Sequence, residues 1–192
     1  MVKELIFIHI PKTGGTSIVK RRRIKVLGHM PTHINPINNH INRFMLNIAV
    51  KLPDFYKYNS FAVVRHPYTR FQSAYSYILR GGSNEIDEMY KNWLLSYPNL
   101  DNILDDLSEL KKKIVHFVEQ HLYITDSDGT ILVAHIVHFE NLQNELEEIE
   151  PSFANLPHLN QSESDKIILT ERQKAKIYEA YKKDFEIFNY EP

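Results

Sequence analysis

A glycine-containing loop near the amino terminus carries residue types that bind phosphate. The run Pro11-Lys12-Thr13-Gly14-Gly15-Thr16-Ser17 follows a short apolar stretch. Glycines let the backbone approach oxygen atoms closely, and free N–H groups at the start of a helix favour negative charge. The lysine adds a cation and the hydroxyls add donors. The candidate phosphate-binding residues are Lys12, Thr13, Gly14, Gly15, Thr16 and Ser17.

The order of these residues differs from that of a Walker A loop. In that motif the lysine follows the last glycine and stands beside a magnesium-binding Ser or Thr. Here Lys12 precedes both glycines, and no apolar run with an obvious Walker B aspartate follows. A strand-to-helix turn whose glycines serve only geometry is the alternative. The combination of Lys, Thr, Gly, Gly, Thr and Ser favours phosphate binding.

Three short apolar runs predict the strands that would position such a site. Leu5–Ile8, Ile24–Leu27 and Phe61–Val64 are rich in β-branched and aromatic residues, which is typical of strands buried on both faces. A helix beginning near Thr16 and ending at about Arg22 would join the first two strands. This order predicts a compact βαβ unit with a parallel pair.

Chemically capable side chains follow each of these runs. Lys12 follows the first strand, His29 the second and Arg65 the third. If the strands are parallel, the three side chains share the edge where ligands bind in open α/β sheets. Arginine can meet a phosphate with two parallel hydrogen bonds. Imidazole titrates near neutral pH and can take a hydroxyl proton, so His29 is the first candidate base and His33 the second.

The rest of the chain predicts further helices and one hairpin. Asp126-Ser127-Asp128-Gly129 is a strong turn signal between His121–Thr125 and Thr130–His138. Thr170 and Gln173 have the spacing of a capping box. The predicted helices span about 39–51, 68–79, 85–96, 100–119 and 140–149, with a last one from 170. No linker or repeat interrupts the chain, so residues 1–192 are predicted to form one α/β domain.

Composition excludes several classes of protein. The 192 residues have a formal net charge of −1, which gives no bulk attraction to nucleic acid. The absence of cysteine excludes disulfides and cysteine-ligated metals. No stretch approaches the ~20 apolar residues of a transmembrane helix, and we expect a soluble cytoplasmic protein. The spacing of the histidines predicts no zinc site.

Two segments resemble the carbohydrate sulfotransferases, the group that includes heparan sulfate 2-O-sulfotransferase. Residues 7–17, FIHIPKTGGTS, resemble that family's 5′-phosphosulfate loop. Residues 64–75, VRHPYTRFQSAY, resemble its 3′-phosphate motif, in which an arginine after a strand and a serine on the next helix hold the ribose 3′-phosphate. Here these residues are Arg65 and Ser73. Weaker similarity, including Gln120, extends along the whole chain.

The resemblance implies a complete activity. The co-substrate would be PAPS (3′-phosphoadenosine 5′-phosphosulfate) with PAP as product, no metal, and a hydroxyl-bearing acceptor, a carbohydrate or glycoconjugate. Lys12 would stabilise the leaving phosphate, and His29, in a Gly-His pair found in several members, would be the base. The implied fold is a three-layer α/β domain like that of P-loop kinases, with a central parallel sheet and a small β-hairpin.

Other interpretations remain open on the sequence alone. A P-loop kinase-like phosphotransferase would need magnesium and its ligands. A non-catalytic nucleotide-binding module would keep Lys12 and Arg65 without needing His29. Ser73 could equally face a core, His9 is expected to fix the loop by packing, and Gln120 could line either a donor or an acceptor pocket.

Overall fold

The computed structural model describes residues 5–19, 24–27, 59–125, 128–154 and 167–192. These residues form two compact units. The first contains the described residues up to Arg65 together with 120–154, and the second contains 66–119 and 167–192.

The strands are β1 (Leu5–Ile8), β2 (Ile24–Leu27), β3 (Asn59–Val64) and β4 (His135–His138). The helices are α1 (Gly15–Val19), α2 (Pro67–Leu79), α3 (Glu85–Leu95), α4 (Leu100–Asp105), α5 (Leu107–Lys113), α6 (His121–Ile124), α7 (Leu142–Ile149) and α8 (Glu171–Ile187).

The four described strands form one parallel sheet in the order β2-β1-β3-β4. Ile8, the last residue of β1, lies opposite Leu27 of β2 and Ala62 of β3. This register confirms the predicted parallel pairing and the α/β class. Because the strands run in the same direction, the residues that follow them emerge at one edge of the sheet.

Aromatic side chains fill the core on one face of this sheet. The rings of Phe7 and Phe61 stack with centroids 5.0 Å apart, and Phe153 meets Phe61 edge-on at 5.9 Å. Ile18 of α1 and Leu146 of α7 belong to the same buried cluster. Burial of these side chains fixes α1 against the sheet, and with it the loop that precedes α1.

The regular elements that the structure describes in the second unit are helices. Its core is buried and apolar. It includes Phe71, Ile78, Leu94, Leu107 and Ile177 on α2, α3, α5 and α8, together with Phe117, which follows α5. The capping box that starts α8 is formed: Gln173 N–H donates to Thr170 Oγ1 at 3.3 Å, and Thr170 N–H donates to Gln173 Oε1 at 3.0 Å. Pro67 occupies the first turn of α2, the helix predicted over about 68–79.

A buried carboxylate organises one end of this second unit. Asp87 is 3% exposed and accepts hydrogen bonds from Tyr77 Oη at 2.7 Å, Ser83 N–H at 2.9 Å and Asn84 Nδ2 at 3.1 Å. His116 Nε2 lies 3.2 Å from its other oxygen. Burial by itself would raise the pKa of Asp87, but the bonds from His116, Ser83 and Tyr77 outweigh it and hold that pKa at about 2.

The predicted β-hairpin is wrong. Residues 121–124 form helix α6, and His135–His138 forms β4, which pairs in parallel with β3. Among the described residues, Thr125 and Ile131 form an antiparallel bridge. The turn signal depends only on local residue types, whereas the partner of residues 135–138 is set by the burial of Val137 against the sheet core.

The helix predicted over 100–119 is also interrupted. It consists of α4, α5 and a 3₁₀ turn at Val115–Phe117. Asp106 separates α4 from α5 with φ −95° and ψ 9°, outside the helical range. The helix predicted near 39–51 lies outside the described residues. Within the described ranges, no helix has both the length and the apolar character needed to cross a membrane.

Candidate active site

The loop between β1 and α1 has an unusual backbone. Lys12 has φ +68° and Gly14 has φ +82°. A positive φ is strained for lysine and costs about 1 kcal/mol or more, so the surroundings must hold it. Thr13, fully buried, donates its hydroxyl to the Ile10 carbonyl at 2.9 Å, and Ser17 N–H donates to the Gly14 carbonyl at 3.3 Å. Turns of this kind present N–H groups toward a common side, which is a geometry for anions.

The two glycines are needed for different neighbours. A Cβ on Gly14 would lie 2.8 Å from a ring carbon of Phe139, and its positive φ disfavours side chains in any case. A Cβ on Gly15 would lie 2.2 Å from Nε2 of His9. The His9 ring also stacks on Phe7 with centroids 5.3 Å apart. His9 therefore packs against the loop and fixes it, which confirms the prediction made for it.

Arg65, the first residue after β3, reaches this loop. Its guanidinium Nη1 donates to the Lys12 carbonyl at 3.4 Å, and its Cζ lies 4.4 Å from the centre of the Phe139 ring. Lys12 and Arg65 are both half-buried. The edge of the sheet therefore brings the Arg65 guanidinium, which follows β3, to the backbone of Lys12, which follows β1.

Gln120 holds the backbone of Arg65. Arg65 N–H donates to Gln120 Oε1 at 2.8 Å, and Gln120 Nε2 donates to the Arg65 carbonyl at 2.8 Å. Gln120 is fully buried, so these bonds are shielded from water. The sequence indicated Gln120 only as a possible pocket residue and gave no partner for it.

Phe139 was not predicted to contribute. It follows β4 directly and contacts both Gly14 and Arg65. The available signal was its position one residue after a strand. A hairpin over residues 130–138 would not bring Phe139 to the edge shared with Lys12, whereas the parallel pairing of β4 with β3 does.

A histidine and a carboxylate pair at the end of β4. Both the backbone N–H of His138, at 2.7 Å, and its Nδ1, at 3.3 Å, meet Glu145 Oε2. Asn141 Nδ2 lies 3.4 Å from the other carboxylate oxygen. The pair joins β4 to α7 and so supports the segment that carries Phe139.

Three predicted site residues cannot be assembled with this group. His29 and His33, the candidate bases, lie outside the described residues. Ser73 lies on α2 in the second unit and is half-buried. In the part of the chain that the structure describes, no group of three His, Asp or Glu side chains could hold a metal ion. Metal independence stays a prediction.

The arrangement at this edge suits an anionic group. The Lys12 and Arg65 side chains supply positive charge, the loop supplies N–H groups, and the Phe139 ring limits where the guanidinium can go. Glu145, the carboxylate that pairs with His138 at the end of β4, accepts from the His138 N–H at 2.7 Å.

Comparison with known proteins agrees with these motifs. No curated protein and no solved structure matches the chain significantly. The model of a family described as "Sulfotransferase family" matches residues 2–191, which is nearly the whole chain and includes both the Lys12 loop and the Arg65 segment. On that match, this chain belongs to the sulfotransferase family.

Proposed function

We propose that this protein transfers a sulfuryl group from PAPS to the hydroxyl of an acceptor, and that the acceptor is a carbohydrate or glycoconjugate. One observation carries the proposal: the Arg65 guanidinium donates to the Lys12 carbonyl, so the residues that resemble the 3′-phosphate and 5′-phosphosulfate motifs are in contact. A donor with phosphates at both ends of its ribose needs two such cationic groups side by side. Family membership supports sulfuryl transfer in general.

In the proposed complex the loop binds the 5′-phosphosulfate. Lys12 and the loop N–H groups from Thr13 to Thr16 face the phosphate that leaves, and Ser17, whose N–H donates to the Gly14 carbonyl, contributes its hydroxyl. Thr13 contributes through its backbone, because its hydroxyl is used on Ile10. Arg65 binds the 3′-phosphate with two parallel hydrogen bonds, and the resemblance assigns Ser73 to the same phosphate.

The proposed reaction is an in-line displacement at sulfur. The acceptor oxygen forms a bond to sulfur while the bond between sulfur and the 5′-phosphate oxygen breaks. The hydroxyl proton goes to His29, with His33 as the second candidate, and PAP leaves with the electron pair of the broken bond. Lys12 and the N–H groups stabilise the charge that grows on the leaving oxygen, where preorganised donors are most effective.

We further propose that residues 1–192 act as one sulfotransferase domain with the three-layer arrangement of P-loop kinases. The family match runs through both compact units, which supports a single functional domain. The parallel sheet with a glycine loop after β1 supports the kinase-like architecture.

Calorimetric titration tests the donor. We expect PAP to bind at least tenfold more tightly than adenosine 5′-phosphate, since a shielded charged contact is worth about 2–5 kcal/mol. Arg65→Ala should remove that preference, and Arg65→Lys should restore only part of it, because an ammonium cannot donate in parallel. Equal binding of the two nucleotides by the wild type would contradict the PAPS assignment.

A transfer assay tests the reaction. Radiolabelled PAPS is supplied with a panel of sugars and phenols, with and without EDTA. We expect sulfated product in both conditions, because the cationic loop can stabilise the leaving group without a metal. Complete loss with EDTA and recovery with magnesium would contradict metal independence. Transfer from radiolabelled ATP with magnesium, and none from PAPS, would favour a phosphotransferase. PAP binding with no transfer to any acceptor would favour a non-catalytic nucleotide-binding module.

A further inference from the structure

The side chain of Gln120 makes a pair of hydrogen bonds to the Arg65 backbone like the pair that a neighbouring strand would make. β3 ends at Val64, whose neighbour in β4 is His138, so Arg65 lies beyond the last paired residue. The side-chain amide of Gln120 takes the place of a strand there. It accepts from the Arg65 N–H and donates to the Arg65 carbonyl, each at 2.8 Å. Glutamine has one carbonyl and one amino group, so a single orientation satisfies both bonds.

This contact fixes the backbone of Arg65 where the strand no longer does. Gln120 is fully buried, and a buried polar side chain without a partner costs about 1–3 kcal/mol, so its amide strongly prefers this pairing. Holding the N–H and the carbonyl together fixes the direction in which the Arg65 side chain leaves the backbone. Lys12 and Phe139 then hold the guanidinium at its far end.

We propose that Gln120 is a positioning residue for recognition of the donor's 3′-phosphate: it acts through the backbone of Arg65 and does not touch the nucleotide. This inference rests on the proposed function, in which Arg65 binds that phosphate. Two parallel hydrogen bonds to a phosphate require a defined guanidinium plane, so a small change in backbone direction weakens the contact.

The first test compares Gln120→Met with the wild type. Methionine keeps the length and apolar volume of the side chain but makes neither hydrogen bond. We expect the dissociation constant of PAP to rise by about tenfold and that of adenosine 5′-phosphate by less than about twofold, since only one phosphate contact is disturbed. The ratio of the two constants is measured on folded protein, so a loss of stability alone leaves it unchanged.

A matched control is available in the same unit. Gln143 is half-buried, and its Nε2 donates to a backbone carbonyl as that of Gln120 does. The acceptor is the carbonyl of Phe153, at 3.1 Å, and not that of Arg65. Gln143→Met should leave the nucleotide ratio at the wild-type value. In the Arg65→Ala background, Gln120→Met should produce no further loss of discrimination, because the residue on which it acts is absent.

A second variant gives a pH signature and replaces the first if Gln120→Met does not fold. In Gln120→Glu, the carboxylate can still accept from the Arg65 N–H but opposes the Arg65 carbonyl. Protonation restores a donor, and burial raises the pKa of a glutamic acid above its ordinary value of about 4.3. The ratio of the dissociation constants for adenosine 5′-phosphate and PAP is divided by the wild-type ratio at the same pH. In Gln120→Glu this normalised ratio should be low at pH ~8 and should rise toward the wild-type value as the pH falls to ~5.

The outcomes separate the two claims. Loss of discrimination in Gln120→Met, or its recovery with acid in Gln120→Glu, supports the positioning role. A wild-type ratio in both variants overturns that role and leaves the proposed function intact. A wild-type protein that binds PAP and adenosine 5′-phosphate equally overturns both.

Discussion

The Arg65 guanidinium lies over the ring of Phe139, with Cζ 4.4 Å from the ring centre. An aromatic face attracts a cation by about 0.5–2 kcal/mol, depending on how far water is excluded. The same ring touches Gly14, so one side chain contacts both proposed phosphate-binding segments. Phe139 directly follows β4, and all four residues of β4 pair with β3. This pairing brings the Phe139 ring to the Arg65 guanidinium.

We expect Phe139→Leu to weaken PAP binding by about twofold to fivefold, which corresponds to the lost attraction of the ring. Leucine retains apolar packing against Gly14, so the fold should persist. Phe153→Leu is the control, since Phe153 is a core aromatic of the same unit that packs edge-on against Phe61. Phe153→Leu should lower the unfolding temperature and leave PAP affinity near the wild-type value. Unchanged affinity in Phe139→Leu would remove the ring from donor binding.

Two substitutions separate the effect of the Lys12 charge on the transfer rate from the effect of its backbone conformation on stability. Lys12→Ala should lower the transfer rate at least ~10²-fold, the scale for one lost transition-state donor. Lys12→Gly should show the same loss of rate but higher stability than Lys12→Ala, by about 1 kcal/mol, because glycine tolerates φ +68°. Single-turnover kinetics and urea unfolding measure the two quantities. The control is Lys113→Ala, at an exposed lysine, which should leave the transfer rate unchanged. Transfer at the normal rate in Lys12→Ala would exclude Lys12 from the reaction.

His29 separates an enzyme from a binding protein. His29→Ala should lower kcat by about 10²–10⁴-fold, the usual contribution of general acid–base catalysis, while PAP affinity stays nearly unchanged. His33→Ala is assayed in parallel, because it is the second candidate, and the exposed His135→Ala is the control. A loss in His33→Ala alone would move the base four residues along the chain. Normal rates in both would contradict a histidine base at this segment.

Asp87 should make the second unit sensitive to acid. Its folded pKa of about 2 lies below the ordinary value of 3.8, so the carboxylate stabilises the fold above pH ~4, and this stabilisation is lost as the pH falls toward 2. The difference corresponds to roughly 2 kcal/mol. Asp87→Asn should therefore be less stable than the wild type at pH 7, and the gap in unfolding free energy should narrow between pH ~4 and ~2.

The control for Asp87 is another aspartate that accepts from a tyrosine. Tyr97 Oη donates to Asp106 Oδ2 at 2.9 Å, but Asp106 is exposed. Asp106→Asn should change the unfolding free energy by less than about 0.5 kcal/mol at any pH in this range. A pH-independent gap for Asp87→Asn would show that its carboxylate charge does not stabilise the unit.

Local sequence determined the parts of this protein whose contacts are close in the chain. The apolar run of β1, the glycines of the following loop and the capping pair of Thr170 and Gln173 each specify structure within a few residues, and all are observed. The family resemblance also rested on such continuous segments, and the match over residues 2–191 confirms the sulfotransferase family.

Only the tertiary structure decided which distant segments meet. The residue types at 126–129 predict that the chain reverses, but they do not predict which strand pairs with His135–His138. That strand is β3, whereas residues 121–124 form a helix. The pairing of Gln120 with Arg65 spans 55 residues. Such contacts depend on the burial of both partners at once, and no local pattern of residue types encodes them.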